Sequence, residues 1–140
     1  FKSRQGELLT ILNYHACTHK KHNPERAEIK AISNWLLKQS FDNIIWAGDM
    51  NLVISDQAFR DILSSGFRSV LNGEKTSLKM KCKNGDYLSM AVDNVLYRFE
   101  NIKYGGGRVM DFVEEEDCRY VSWKRASYSD HLGVELKMGI

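Results

Sequence analysis

The residues of this sequence that could carry chemistry are His15, Asp49, Asn51, Asp93, Asp130 and His131. The densest of these groups closes the stretch Ile44-Ile45-Trp46-Ala47-Gly48-Asp49-Met50-Asn51. An unbroken apolar run reads as a short strand buried on both faces, because a half-exposed strand would alternate apolar with polar. Extended backbone sends residues i and i+2 to the same side, so Asp49 and Asn51 should project together while Met50 turns away. One carboxylate and one amide are then offered to one ligand. Gly48, without a side chain, lets backbone or substrate come close just before the carboxylate. The plainer account is that Asp49 and Asn51 cap a turn, as Asp, Asn and Gly commonly do.

The other candidates also fall near strand ends. Leu8 to Tyr14 is apolar and β-compatible and delivers His15 to its end. Asp93 lies within the apolar run Met90 to Tyr97, where a carboxylate is costly to bury unless it has a partner. Ser129-Asp130-His131 stands immediately before a strand expected from Gly133 to Met138. Carboxylates, an amide and two histidines, with no cysteine among them, suit a hard cation such as Mg²⁺ and an anionic phosphate ester. Hydrolysing such an ester requires a positioned water, neutralisation of charge on the phosphoryl oxygens and help for the leaving oxygen. A rival site is the cluster His15, Cys17, His19 and His22, which has zinc-type ligands. Its ligands crowd into one segment rather than two separated pairs, which argues against structural zinc.

The elements that must position these groups follow from the pattern. Asn23-Pro24-Glu25 starts a helix running to about Leu37, with Ile29, Ile32 and Leu36 on one face beside Trp35. Arg26 sits in its first turn, a poor place for a cation, and is read as solvated unless a partner stands nearby. Ser55-Asp56 caps a second short helix carrying Phe59, Ile62 and Leu63, closed by Gly66. Strands alternating with helices indicate an α/β fold. Asn72 to Asp86 is polar and basic, with Lys75, Lys79, Lys81 and Lys83 around Met80 and Cys82. It reads as a solvated hairpin, and alternatively as the lining of a phosphate-bearing groove. Gly105-Gly106-Gly107 reads as a flexible turn, Glu114 to Asp117 as a solvent-facing acidic run, and Tyr120 to Trp123 as a strand.

The 140 residues fit a single domain able to bury a core, and 43% apolar with 27% charged residues is ordinary globular composition. A net charge of +2 neither indicates nor excludes a nucleic-acid partner. The odd, scattered cysteines Cys17, Cys82 and Cys118 suggest a cytoplasmic or other reducing compartment rather than a disulfide framework. No run approaches the roughly 18 apolar residues of a membrane span. The chain opens at Phe1 with a strand-like segment close behind, which suggests a fragment cut inside a larger domain.

In order, "NYHA", "GDMN", "AVDNVLY" and "SDH" resemble the motifs of the endonuclease/exonuclease/phosphatase superfamily, the deoxyribonuclease-I-like fold. The helix with Arg26 and the "SSGFRSV" segment also look like it. The resemblance implies that Asp49 orients or deprotonates the attacking water and that Asn51 holds the phosphate and that nucleophile. It gives His131 to a phosphoryl oxygen, Asp93 to the orientation of His131, and Asp130 to a divalent metal, Mg²⁺ or Mn²⁺. His15 stands where several branches carry a histidine, which suits a general acid. Leu132-Gly133-Val134 replaces the usual Pro-Val after "SDH", and the upstream asparagine and metal-ligating glutamate cannot be placed.

Residues 1–140 are therefore expected to be the C-terminal part of a single endonuclease/exonuclease/phosphatase domain, about half of a four-layer αββα sandwich. Such a half would leave an apolar sheet face for a second copy or a preceding half to cover, and would be inactive or weak alone. The implied function is metal-dependent phosphodiester hydrolysis, nuclease-like, with nucleic acid favoured by the Lys75 to Lys83 segment and inositol or lipid phosphates as alternatives. The rival function is a non-catalytic module that keeps the fold and its phosphate or partner binding.

Overall fold

The computed structural model describes residues 2, 6–17, 24–113, 118, 121–122 and 127–139. Asn23, the expected helix cap, the histidines His19 and His22, and the acidic run 114–117 lie outside the described residues.

A four-stranded sheet forms the centre, built from β1 (Thr10–Asn13), β2 (Asn43–Asp49), β3 (Arg68–Ser69) and β6 (Asp93–Phe99) in the order β1-β2-β6-β3. β1 runs parallel to β2, as it must when the connection is the helix α1 (Pro24–Leu36), whereas β6 is antiparallel to both β2 and β3. The register sets Asp49 opposite Asp93. β4 (Leu78–Lys83) and β5 (Asp86–Leu88) form a hairpin, and β7 (Lys103–Met110) pairs with β8 (Gly133–Gly139). The β4–β5 turn has Asn84 and Gly85 both at positive φ, the backbone that two-residue hairpins prefer.

The two faces of β2 part the core in two, as an unbroken apolar strand requires. Ile44 and Trp46 pack with Ile29 and Leu36 of α1, with Phe59, and with Ile62 of the short helix α2 (Arg60–Ser64). Ile45 and Ala47 pack instead with Val70, Val95, Val109, Val134 and Leu136, and so beneath the β7–β8 ribbon. Full burial of each large apolar side chain contributes about 1.5–3 kcal/mol. Among the described residues the layers are helices, sheet and ribbon, an α/β arrangement with three of the expected four layers. At β1 the covering is incomplete, and Leu8 and Ile11 are 60% and 45% exposed.

Several elements differ from the sequence reading. Gly105 to Gly107 lie inside β7, not in a flexible turn. A Cβ on Gly107 would stand 2.0 Å from Val70 Cγ1, so glycine lets the ribbon lie flat on the sheet. Val121 and Ser122 are helical where a strand was expected. The β6 strand begins at Asp93 rather than Met90, which puts the carboxylate at the strand's edge instead of its interior. Arg26 is paired, its Nη2 lying 2.9 Å from Asp56 Oδ2. Asp56 also caps the turn at Gln57–Phe59 by accepting the Ala58 N–H. Burial works to raise the Asp56 pKa, but the Ala58 bond and the Arg26 cation outweigh it and hold the carboxyl below its usual range.

Cys82 and Cys118 form a disulfide and Cys17 is free, which corrects the expectation that the cysteines stay unpaired and removes that argument for a reducing compartment. The scatter was misleading because both partners belong to one small core of Leu78, Val113, Val121 and Leu132. No helix among the described residues is long and apolar enough to cross a membrane.

Candidate active site

His15, Asp49, Asn51, Asp93, Asp130 and His131 all line one cleft of about 530 Å³, with Ser129 at its margin. Four separate stretches supply them, and local backbone chemistry at each brings them in.

The β2 strand ends at Asp49 because the chain turns there. Asp49 Oδ1 accepts the Asn51 N–H at 2.9 Å, and Asn51 adopts a left-handed φ of 49°. Asn tolerates that conformation because its short side chain can hydrogen-bond locally. Asp49 and Asn51 thus share the cleft through an Asx turn, not through continued extended backbone. Met50 turns inward and is fully buried. Both earlier readings hold together: the pair caps a turn and also lines the cleft.

Gly48 has φ +147°, and a Cβ there would lie 1.7 Å from the Tyr14 carbonyl oxygen. Its absence lets the segment after β1 continue along β2, with Tyr14 N–H on Ala47 O at 2.9 Å and Ala16 N–H on Asp49 O at 2.8 Å. Asn51 Nδ2 donates to Ala16 O at 3.2 Å. His15 is held between these bonds, and its exposed ring reaches back so that Nε2 lies 3.5 Å from Asp49 Oδ2. From α1, Glu28 accepts hydrogen bonds from the Tyr14 hydroxyl and from Cys17 N–H, the latter at 3.0 Å. Burial, then the Glu28 carboxylate, pushes the Tyr14 phenol above its ordinary pKa, while the Tyr14 hydrogen bond lowers that of Glu28.

On the opposite wall, His131 Nδ1 and Asp93 Oδ2 are 2.7 Å apart, and His131 Nε2 faces Asp49 Oδ2 at 3.7 Å. Asp93 therefore has the partner its position demands. Burial alone would lower the His131 pKa, but the Asp93 hydrogen bond and the charges of Asp93, Asp49 and Asp130 outweigh it and raise it. With Nδ1 donating to Asp93, neutral His131 would keep Nε2 as an acceptor, and the protonated ring donates from both nitrogens.

Ligand atoms of Asp49, Asp93 and His131 lie within 4.8 Å of one another, a grouping able to hold a cation. Two carboxylates fit a hard, oxygen-preferring ion. Asp130, the residue expected to hold the metal, lines the same cleft outside that compact group.

Sequence reasoning missed the residues that hold these groups in place. Thr76 is fully buried; its Oγ1 accepts the Asp93 N–H at 3.1 Å, and its carbonyl accepts the Leu132 N–H at 2.7 Å. Asn94 donates through Nδ2 to Leu52 O at 3.0 Å and so ties down the chain beyond Asn51. Thr76 sits in a polar, lysine-rich stretch that gave no hint of burial. The only signal for Asn94 was an amide inside an apolar strand.

No family model and no curated protein matches the chain. Solved structures do. D. rerio TDP2 complexed with a single-strand DNA product superposes with a TM-score of 0.63 at 15% identity, over 93% of this chain and 56% of that one. The mannosyl-6-phosphatase Bt3783 of Bacteroides thetaiotaomicron VPI-5482 gives 0.60 at 14% identity, covering 93% and 51%. An endonuclease/exonuclease/phosphatase family protein of Bacteroides thetaiotaomicron gives 0.55 at 14%, covering 91% and 47%. This chain spans about half the length of these structures and has the deoxyribonuclease-I-like fold that their likeness shows.

Proposed function

We propose that this chain is part of a divalent-metal-dependent phosphoesterase, acting by attack of water on phosphorus in a phosphodiester. The observation that carries the reading is the convergence of His15, Asp49, Asn51, Asp93, Asp130 and His131 from four strand ends into one cleft. Asp49 would orient and deprotonate the attacking water, with the Asn51 amide holding the phosphate beside it. His131, kept in one orientation by Asp93, would donate from Nε2 to a phosphoryl oxygen. His15, exposed at the rim, is placed to give a proton to the leaving oxygen. Asp49 and Asp93, with Asp130 beside them, would hold Mg²⁺ or Mn²⁺, which supplies charge neutralisation on the phosphate.

Nucleic acid is the favoured substrate. The matching TDP2 structure holds a DNA product, and the β4–β5 hairpin of this chain carries Lys79, Lys81 and Lys83 next to the elements that hold the cleft. The mannosyl-6-phosphatase match keeps sugar phosphomonoesters open, and inositol or lipid phosphates remain alternatives. Full activity would need the exposed β1 side to be covered, by a second copy or by residues preceding this stretch in a longer protein.

The test is hydrolysis of bis(p-nitrophenyl) phosphate and plasmid DNA with Mg²⁺ or Mn²⁺, using this chain and a version extended upstream. Asp49→Ala should reduce turnover at least about a hundredfold, the usual scale of a lost general base. Unchanged turnover in a folded Asp49→Ala protein would refute the mechanism. Metal-dependent binding of DNA without cleavage, in every folded form, would favour the non-catalytic module.

A further inference from the structure

His15 owes its place in the cleft to its backbone. Its ring is 77% exposed, so packing does little to aim Nε2, and the direction must come from the chain on either side. That chain is fixed from two directions. Toward β2, Tyr14 N–H donates to Ala47 O at 2.9 Å and Ala16 N–H to Asp49 O at 2.8 Å, while Ala16 O accepts from the Asn51 amide. Toward α1, a single carboxylate oxygen, Glu28 Oε2, accepts both the Tyr14 hydroxyl and the Cys17 N–H, the latter at 3.0 Å. Tyr14 comes immediately before His15 and Cys17 two residues after it, so the two bonds bracket the histidine.

Glu28 is itself held in place. Ile29, next in the helix, is fully buried in the core that α1 shares with Ile44 and Trp46 of β2. Arg26, two residues before, pairs with Asp56 at 2.9 Å and so ties the first turn of α1 to the turn Gln57–Phe59. Hydrogen bonds to an ionised acceptor are the strong ones, and the Tyr14 bond, then the Cys17 bond, lower the Glu28 pKa. A continuous path thus runs from the buried side of α1 through Glu28 to the chain on both sides of His15.

We propose that Glu28 is a positioning residue for His15: its carboxylate holds the Tyr14 to Cys17 segment so that the exposed imidazole meets the leaving oxygen of the phosphodiester. The proposal rests on the reading of His15 as the proton donor of the cleft. In that role a proton passes from His15 Nε2 to the leaving oxygen as its bond to phosphorus breaks. An alkoxide leaving from DNA needs that proton, whereas p-nitrophenolate spreads its charge over the ring and departs without it. Misplacing a catalytic group by about 1 Å can cost about a hundredfold in rate. Loss of Glu28 should therefore fall on DNA and spare nitrophenyl esters, while a contribution to overall stability alone would slow both alike.

The experiment compares Glu28→Ala, Glu28→Gln, Tyr14→Phe and His15→Ala on plasmid DNA and bis(p-nitrophenyl) phosphate, in this chain and its upstream-extended version. Backbone NMR order parameters are measured on the 140-residue chain. Alanine favours helix, so Glu28→Ala keeps α1. It should lower kcat on DNA at least about tenfold and on the nitrophenyl ester less than about twofold. Order parameters at residues 14–17 should fall from about 0.85 toward about 0.6. Glu28→Gln, whose amide oxygen can accept both donors, should recover most of the DNA turnover, and Tyr14→Phe, which keeps the Cys17 bond, should lie between. In a His15→Ala background, Glu28→Ala should cost less than about twofold more, because the group it positions is gone. Equal losses on both substrates or an additive double variant would overturn the role of Glu28. So would order parameters unchanged at 14–17 in Glu28→Ala, whether or not any ester is cleaved. A His15→Ala loss that Glu28→Ala does not share would overturn the clamp alone, whereas DNA turnover intact in His15→Ala would remove the proton-donor reading and the proposal with it.

Discussion

The Asp93–His131 pair makes a prediction with a definite sign. Replacing Asp93 by Asn keeps the side chain's shape and its backbone bond to Thr76 but removes the charge that faces His131 Nδ1 at 2.7 Å. The side chains are 16% and 26% exposed, so solvent screens the pair only partly. A hydrogen bond to a charged group at such a site contributes about 1.5–3 kcal/mol, against about 0.5–1.5 kcal/mol for a neutral one. Folded His131 has a raised pKa and so holds its proton more tightly than the unfolded chain does. The resulting stabilisation is complete below the unfolded value of about 6.5 and is lost as pH rises through the folded one.

Asp93→Asn, which keeps a neutral acceptor at that place, should therefore destabilise the protein by about 1–1.5 kcal/mol near pH 5.5, the gap between a charged and a neutral hydrogen bond at a pH below the ordinary histidine value. The difference from wild type should shrink at alkaline pH, where His131 is neutral and no pairing of opposite charges remains to be lost. Urea unfolding at both pH values measures this, and NMR titration of the His131 ring, in EDTA, should show its midpoint falling in the variant. Removal of the Asp93 charge leaves burial opposed only by Asp49 and Asp130. A His131 midpoint unchanged in Asp93→Asn, or a stability loss that grows with pH, would refute the reasoning.

Two further outcomes follow from the geometry. Gly48→Ala sets a methyl group against the Tyr14 carbonyl at a positive φ, and it should cost about 3 kcal/mol or more in urea unfolding; a loss under about 1 kcal/mol would mean the segment after β1 shifts freely. The Cys82–Cys118 disulfide spans 36 residues, and loop-closure entropy assigns it about 4 kcal/mol. Cys82→Ser should lower the urea midpoint accordingly, and thiol titration of unfolded wild type should find Cys17 alone; three reactive thiols would contradict the pairing.

The sequence made the strands and α1 legible where burial set the pattern. The Ile44 to Ala47 run announced a strand covered on both sides, and Ile29 and Leu36 announced the helix face that covers one of them. The candidate site was legible because each polar residue interrupts or follows an apolar run, which places it at a strand end. Hidden were features decided by contacts between distant segments. Three consecutive glycines look like a turn locally, yet Gly107 is needed only because Val70 lies beneath it. The cysteines look scattered until the small core around Leu78 and Val113 brings two of them together. Arg26 looks ill-placed until Asp56, thirty residues away, reaches it.

The same distinction explains why the cleft holds its shape. Its side chains come from four stretches, so their spacing depends on backbone bonds that join those stretches rather than on any one element. On one wall, Gly48 admits the Tyr14–Ala16 segment and Asn51 locks it through Ala16 O. On the other, the chain entering β4 grips both members of the histidine–carboxylate pair: Thr76 receives the Asp93 and Leu132 N–H groups, and Leu78 N–H donates to Asp130 O at 2.8 Å. The basic hairpin therefore grows directly from the residues that fix Asp93 and His131. A polymer that settled on Lys79 to Lys83 would bear on the strand that holds the cleft together, which gives charge on the hairpin a physical route to the geometry of the proposed chemistry.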